Sequence, residues 1–446
     1  MTSGSATVIQ GRRAGTEPGL GTAYPRMPLR ACRRIQLGLS AAALGGFVCL
    51  AAAAPAVGAH EATDAAFART EAYFERLSYG PGDAAILHVA GRGTASVELL
   101  RVGPKVTRRE PPTALRGVPV TMRRRVRLRM GGDTPVRITM LHWPSGLYFA
   151  RVRAASGVAV APVVLRASRF EHRRVAVVLA TNTWQAYNER DDDGDGIGDS
   201  WYANPAVTTV RLDRPFPAGG SPATYRYDRG FVLWLARTGK QADFYADDDF
   251  EWLSASYLTA RYDLVVFPGH EEYVTAREYD VVEAYRNGGG NLAFLSANNF
   301  YYRVIRRGNT IVKSGRWRDL GRPEASLVGV QYVGWNENSF PNAPYVVTGA
   351  DAAPWLFRGT GLSNGMRFGN YGIEIDKRTP SSPPGTQLLA IVPNVFGPGM
   401  SGEMTYYRTS TGAKVFAAGT LNFGASALAP TPAQMLENLW AQLTRP

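Results

Sequence analysis

The sequence predicts an α/β protein in which an N-terminal β-sandwich precedes a doubly wound, mostly parallel sheet. Three observations predict it. Short strand patterns punctuated by Gly and Pro fill residues 79 to about 168. Continuous apolar runs alternating with helical patterns follow residue 170. A chain of 446 residues, 45% hydrophobic and 20% charged, has the length and composition for two or three folded domains with sizeable cores.

The first 59 residues read as an export signal. Arg33 and Arg34 precede Leu37 and an apolar stretch from Leu39 to Ala54; Pro55 breaks it, and Val57-Gly58-Ala59 offers a small-residue cleavage site. The Arg-Arg-x-x-Leu order fits a twin-arginine signal, and a general secretory signal fits as well. Met27 is a candidate start, and the mature chain is expected to begin near His60 as an extracellular or cell-envelope protein. Both cysteines, Cys32 and Cys49, fall inside the removed segment, leaving no disulfide and no thiol nucleophile. The apolar stretch is too short and too Ala-rich for a membrane span, so none is expected after cleavage.

Residues 60–78 form a polar lead-in, 79–170 the sandwich and 171–446 the α/β domain. Sandwich strands are expected at Ala85–Val89, Ser96–Leu100, Pro135–Met140, Leu147–Val152 and Val158–Leu165. Between them Arg125, Arg127 and Arg129 alternate with Val126, Leu128 and Met130, the pattern of a strand with one solvated face. The net charge of +13 raises the question of nucleic acid. No zinc spacing, helix-turn-helix or RNA-binding signature accompanies the arginines, and nucleic acid is not expected as a partner.

The α/β domain opens with Val175–Ala180, a run apolar on both faces, as in a strand buried on both sides. Leu264–Phe267, Leu292–Leu295 and Val415–Ala418 repeat it. Helices are expected from Gly230 to Thr238, Ala276 to Asn287 and Pro432 to Leu443, with Gly288-Gly289-Gly290 stopping the second. The stretch from about 305 to 410 reads as an irregular insertion with minor strands.

Ligands in open parallel sheets bind beyond the carboxyl ends of the strands. Those ends carry Thr181-Asn182-Thr183-Trp184-Gln185-Ala186-Tyr187-Asn188, Pro268-Gly269-His270-Glu271-Glu272-Tyr273 and Ser296-Ala297-Asn298-Asn299-Phe300-Tyr301. Three polar, aromatic loops on one sheet edge make a candidate active site. There is no Ser-His-Asp order, Walker loop or dinucleotide fingerprint. The turn at Gly269 holds neither Ser nor Cys. That leaves a metal-activated water or a protein that is not an enzyme.

A second site is local. Asp191-Asp192-Asp193-Gly194-Asp195-Gly196-Ile197-Gly198-Asp199 alternates carboxylates as a calcium loop does. Asp191, Asp193, Asp195 and Asp199, with the Ile197 carbonyl, are the expected calcium ligands. Tyr202 stands where an EF-hand has its closing Glu, so this is a calcium-loop fragment and not an EF-hand.

From about residue 79 to 428 the chain resembles the C-terminal part of the N,N-dimethylformamidase large subunit and its relatives. The resemblance rests on Trp143-Pro144-Ser145-Gly146-Leu147-Tyr148, Asn182-Thr183-Trp184-Gln185-Ala186-Tyr187, Gly269-His270-Glu271-Glu272-Tyr273, Gly290 to Leu295, Gly372-Ile373-Glu374-Ile375-Asp376 and Val415 to Gly424, in that order. It implies a glutamine-amidotransferase-like sheet carrying a β-sandwich. It also implies hydrolysis of a small amide by a mononuclear ferric iron held by two tyrosines and a glutamate. Carried over by motif, the ligands fall on Tyr148, Tyr187 and Glu272. His270, Glu374 and Asn298 fall on further active-site positions, with His270 the first candidate to move a proton and Glu374 the second. Two phenolates and a carboxylate are hard donors suited to ferric iron. Such a metal would sit between sandwich and sheet. A homo-oligomer or a small partner subunit is implied too. The family's proline between the His and Glu of that motif is Glu271 here, which adds a charge beside the site. The competing expectation is a non-catalytic, calcium-stabilised extracellular binding protein on the same fold.

Overall fold

A nine-stranded sheet forms the spine of the molecule. In spatial order its strands are Asp243–Ala246, Val175–Leu179, Leu264–Phe267, Asn291–Phe294, Lys414–Ala417, Gly402–Arg408, Gln387–Val392, Asn342–Val347 and Arg367–Gly372. The first five run parallel. The last four continue the sheet antiparallel. The computed structural model describes residues 69–104, 110–168, 173–336 and 342–444. The export signal, the Met27 start and the cleavage site near His60 lie outside them.

Strands Val175–Leu179 and Leu264–Phe267 are short and wholly buried, which explains their unbroken apolar sequence. Tyr225–Thr238, Ala276–Asn287 and Pro430–Leu443 are the long helices. Thr275 caps the second by accepting from the Glu278 amide, and Gly288 follows its last turn. Helix Tyr225–Thr238 lies so close to the turn at Gly424–Ser426 that a Cβ on Gly230 would sit 2.2 Å from the Ala425 carbonyl.

The expected irregular insertion is in fact much of the sheet's other half. The strands Asn342–Val347, Arg367–Gly372, Gln387–Val392 and Gly402–Arg408 all lie within 305–410. An antiparallel meander needs no crossover helices, and its tight turns concentrate Gly and Pro. The sheet is therefore mixed and not mostly parallel. The protein as a whole is α/β and sheet-rich, with sandwich-like sheets at its N-terminal end.

There, Glu71–Phe74, Ala84–Ala90 and Thr134–Thr139 form one antiparallel sheet. A second joins Ser78–Tyr79, Gly157–Leu165, Gly146–Ala154, Thr94–Val102, Gly117–Pro119 and Arg124–Arg127. Leu87, Val97, Tyr148, Val152 and Val163 fill the space between them. The lead-in therefore supplies strand Glu71–Phe74. Alternate residues Leu147 and Phe149 point the other way and pack with Val175, Val177 and Phe231 of the α/β part. Buried Asp249 fastens the junction, accepting from Ser78 Oγ at 2.7 Å and pairing with Arg166 at 3.0 Å. Arg125, Arg127 and Arg129 are exposed and Leu128 is buried, as a strand with one solvated face requires, but Met130 is exposed as well.

Candidate functional site

Four side chains meet beyond the carboxyl ends of the parallel strands. The Tyr187 hydroxyl donates to Glu272 Oε2 at 2.8 Å. His270 Nε2 lies 3.4 Å from Glu272 Oε2 and 3.3 Å from Glu374 Oε2. The Tyr187 and His270 rings are 5.4 Å apart. Tyr202 stacks on the outer face of Tyr187, and Tyr227 meets His270 edge-on.

Local backbone explains the convergence. Tyr187 follows the short helix Thr181–Ala186, which starts directly after strand Val175–Leu179. The turn after Leu264–Phe267 passes so tightly over Asp228 that only glycine fits at 269, where a Cβ would lie 2.2 Å from Asp228 Oδ1. The segment after Gly269 is pinned on both sides. The Glu272 amide donates to Thr183 Oγ1 at 3.1 Å, and the Glu272 carbonyl accepts from the Tyr301 and Tyr302 amides at 3.1 and 2.9 Å. Side chains alternate along this segment, so His270 and Glu272 face Tyr187 while Glu271 turns to the opposite side.

Asn298 joins through its backbone: its amide donates to Asp376 Oδ1 at 2.8 Å, two residues beyond Glu374. Asn298, Phe300 and Ile373 adopt φ of 56°, 58° and 68°. Three non-glycine residues in the left-handed region around one site mark backbone held in place by its surroundings.

Electrostatics bind the set together. Burial alone would pull the His270 imidazole down, but the Glu374, Glu272 and Asp376 carboxylates outweigh it and raise it to about 8. Burial raises Glu272 to about 7, with His270 opposing and Glu374 reinforcing the rise. Burial, then the charges of Glu272 and Glu374, lift Tyr187 well above an ordinary phenol, so without a cation it keeps its proton and donates. Burial likewise raises Asp376 to about 8 and Asp228 to about 7.

Tyr148 does not join this set. It is the third residue of strand Gly146–Ala154, its ring lies in the sandwich core against Trp143, and its hydroxyl donates to the Pro144 carbonyl at 2.6 Å. It borders a cleft of about 900 Å³ that also touches Arg173 and Asp243, at the amino ends of the parallel strands. Tyr187 and Glu272 occupy the carboxyl ends. The ligand set Tyr148, Tyr187 and Glu272 is therefore not assembled, because strand alternation turns residue 148 into the sandwich.

The acidic loop is partly gathered. Oxygens of Asp191, Asp193 and Asp195 lie within 4.8 Å of one another. Gly194 and Gly196 amides cap Asp191 at 2.6 and 2.8 Å, and hydrogen bonds from these amides hold its carboxyl below the usual range. Asp199 stands apart from the three: its Oδ2 accepts from the Asp192 amide at 2.7 Å and closes the neck of the loop. Ile197 is exposed, and its amide donates to Asp195 Oδ1 at 2.7 Å. Buried Arg214 ties loop to helix, donating to the carbonyls of Gln185, Asn188 and Asp199 and pairing with Asp192 at 3.2 Å.

Sequence reasoning missed Asp228, Asp376 and Tyr202 as neighbours of the site. Asp376 was within reach as the last residue of the Gly372-to-Asp376 stretch. Asp228 sits in a helix, where nothing local distinguishes it from a solvated acid.

No curated protein matches the chain. Among solved structures, the mmIFT52 N-terminal domain aligns at 12% identity over 46% of this chain and 86% of that one, with a TM-score of 0.30. A Paenibacillus sp. cycloisomaltooligosaccharide glucanotransferase complexed with cycloisomaltoheptaose aligns at 8% identity over 78% of this chain and 68% of that one, with a TM-score of 0.18. Likenesses that faint carry nothing about fold or function. The family comparison is of another order: it covers residues 132–434, which include Tyr187, His270, Glu272, Asn298 and Glu374. On that match the chain belongs to the family described as N,N-dimethylformamidase beta subunit-like, C-terminal.

Proposed function

We propose that this protein hydrolyses the C–N bond of a small amide, in the manner that its family's description suggests, with one iron at the Tyr187–Glu272 site. The observation that carries the reading is the convergence of Tyr187, His270, Glu272 and Glu374 in a member of this family. The likeness of the parallel half-sheet to glutamine amidotransferases belongs to the same proposal.

The donors fit a hard cation. His270 Nδ1 is buried without a hydrogen-bond partner, and the carboxylate oxygens of Glu272 and Glu374 converge on its Nε2 at 3.4 and 3.3 Å. Tyr187 and Glu272 would hold the metal, with Glu374 beside them. Bound there, iron supplies a Lewis acid for an amide carbonyl or for water. The side chains do the rest. Glu272 and Glu374 hold His270 from two sides, so the imidazole can take a proton from an attacking water and return it to the departing amine. The C–O bond forms, the C–N bond breaks, and acid and amine leave. Tyr227 and Tyr202 flank the site with aromatic faces suited to a small, weakly polar substrate.

Calcium in the Asp191–Asp195 loop, export from the cell, and a homo-oligomer or small partner subunit complete the proposal. Among the described residues no helix is long and apolar enough to cross a membrane. The test is iron content together with turnover of N,N-dimethylformamide and other small amides by the purified protein. Iron and turnover that both vanish in Glu272→Gln support the reading. Iron retained by Glu272→Gln refutes the ligand assignment. An iron-loaded parent that hydrolyses no small amide refutes the reaction and leaves a binding protein. N-terminal sequencing of exported material checks cleavage near His60.

A further inference from the structure

On the other side of the His270–Glu272 segment, three buried carboxylates meet. Oxygens of Asp247, Glu271 and Glu278 lie within 4.8 Å of one another. Their residues are 1%, 1% and 0% exposed. Each comes from a different element: Asp247 opens the turn after strand Asp243–Ala246, Glu271 follows Leu264–Phe267, and Glu278 lies in the first turn of helix Ala276–Asn287.

Their surroundings leave most of their oxygens unpartnered. Both oxygens of Glu271, both of Glu278 and Oδ1 of Asp247 lack a hydrogen-bond partner. Asp247 Oδ2 accepts from the Asn182 amide at 2.5 Å. The groups facing the cluster add negative charge: Asp248 and Glu251 act on Glu278, and Asp228 on Glu271. Asp248 pairs with Arg306. Glu251 already accepts from Thr275 Oγ1 at 3.0 Å. Buried charges persist only when paired or when they hold a metal.

We propose that Asp247, Glu271 and Glu278 form a buried site for a hard divalent cation, separate from the Tyr187–Glu272 site and from the exposed acidic loop. Five unpartnered carboxylate oxygens are the donor set of a calcium-, manganese- or magnesium-type ion, which prefers oxygen and tolerates carboxylates in both binding modes. A soft metal would want sulfur or imidazole, and neither is among the three. The ion would tie three elements together behind the candidate active site: the strand ends at 246 and 267 and the start of helix 276–287. Its role is to fix the backbone from which His270 and Glu272 project.

The test uses the full protein carrying Asp193→Ala, so that the exposed loop does not contribute. After gel filtration, elemental analysis should find about one calcium, manganese or magnesium per chain, counted separately from iron. Chelator should remove it and lower the thermal midpoint, and adding CaCl2 or MnCl2 should restore both. Glu278→Gln in the same background should lose the ion. Should that variant not fold by circular dichroism, Glu271→Gln and the chelator cycle on the parent decide the matter. Absence of such an ion, with a midpoint indifferent to CaCl2, MnCl2 and MgCl2, overturns the site and leaves a cluster neutralised by protons. An ion retained in full by a folded Glu278→Gln overturns the ligand set.

Discussion

Replacing Tyr187 by Phe separates two assignments that the sequence alone leaves joined. The substitution removes one hydroxyl and keeps the ring, so its contacts with Tyr202, His270 and Tyr273 survive. What is lost is a single 2.8 Å hydrogen bond to Glu272 Oε2. Hydrogen bonds to charged groups are worth about 1.5–3 kcal/mol. Glu272 is raised to about 7 by burial and so is only partly ionised at neutral pH, which puts the metal-free protein near the lower end of that range. Urea unfolding of chelator-treated protein measures it. Bound iron should fall at least tenfold by elemental analysis, since the phenolate donor is gone. Tyr148→Phe is the control. It gives up one bond to the Pro144 carbonyl, worth about 0.5–1.5 kcal/mol, and should keep its iron. Iron retained by Tyr187→Phe and lost by Tyr148→Phe would refute the geometric assignment and restore the sandwich tyrosine as the ligand.

Asp228 should make stability depend on pH. Burial raises its carboxyl to about 7, above its unfolded value. Its contribution is thus fully present below about pH 4 and is lost as pH rises through about 7. Asp228→Asn, which can still accept from Trp184 Nε1, should flatten that slope and be relatively more stable at pH 8 than at pH 5; an unchanged slope in denaturant titrations excludes the idea. Calcium at about a hundred times its dissociation constant should stabilise the protein by roughly 2.7 kcal/mol, and Asp193→Ala should abolish the shift in thermal midpoint. Gly230→Ala forces a Cβ to 2.2 Å from the Ala425 carbonyl and should destabilise by about 1–3 kcal/mol in the same unfolding assay.

The parallel half of the sheet was legible because burial on both faces leaves an unmistakable mark. Runs such as Leu264–Phe267 have no polar face to disguise them. From those strands the rule of carboxyl ends led to the loops that hold Tyr187, His270 and Glu272, and the family resemblance singled these residues out within them. The antiparallel half was not legible, because its strands carry mixed burial and its turns dominate the composition, as in Arg367–Gly372. Tyr148 went astray for a related reason: a motif places a residue in the chain, and only strand register decides which face it takes. The buried acids were invisible for a third. Glu278 at the start of a helix looks like ordinary dipole compensation, and Asp247 opens an acidic run that reads as solvated. Only the crossing of three elements puts them together.

The sheet also dictates an order of assembly. Strand Lys414–Ala417 lies at the centre, between Asn291–Phe294 and Gly402–Arg408, yet of this sheet's nine strands it is the last in sequence. Until it emerges from the ribosome, the parallel and antiparallel halves face each other with unpaired edges. The segment behind it then clasps the site, with the Leu421 amide on the Glu374 carbonyl at 3.1 Å and the Gly424 amide on that of Leu295 at 2.7 Å. Such late, long-range closure is slow and prone to aggregation. A chain stalled or clipped before residue 414 keeps both open edges and no finished site. Quality control that senses exposed strand edges would thus also sense whether this protein is able to function.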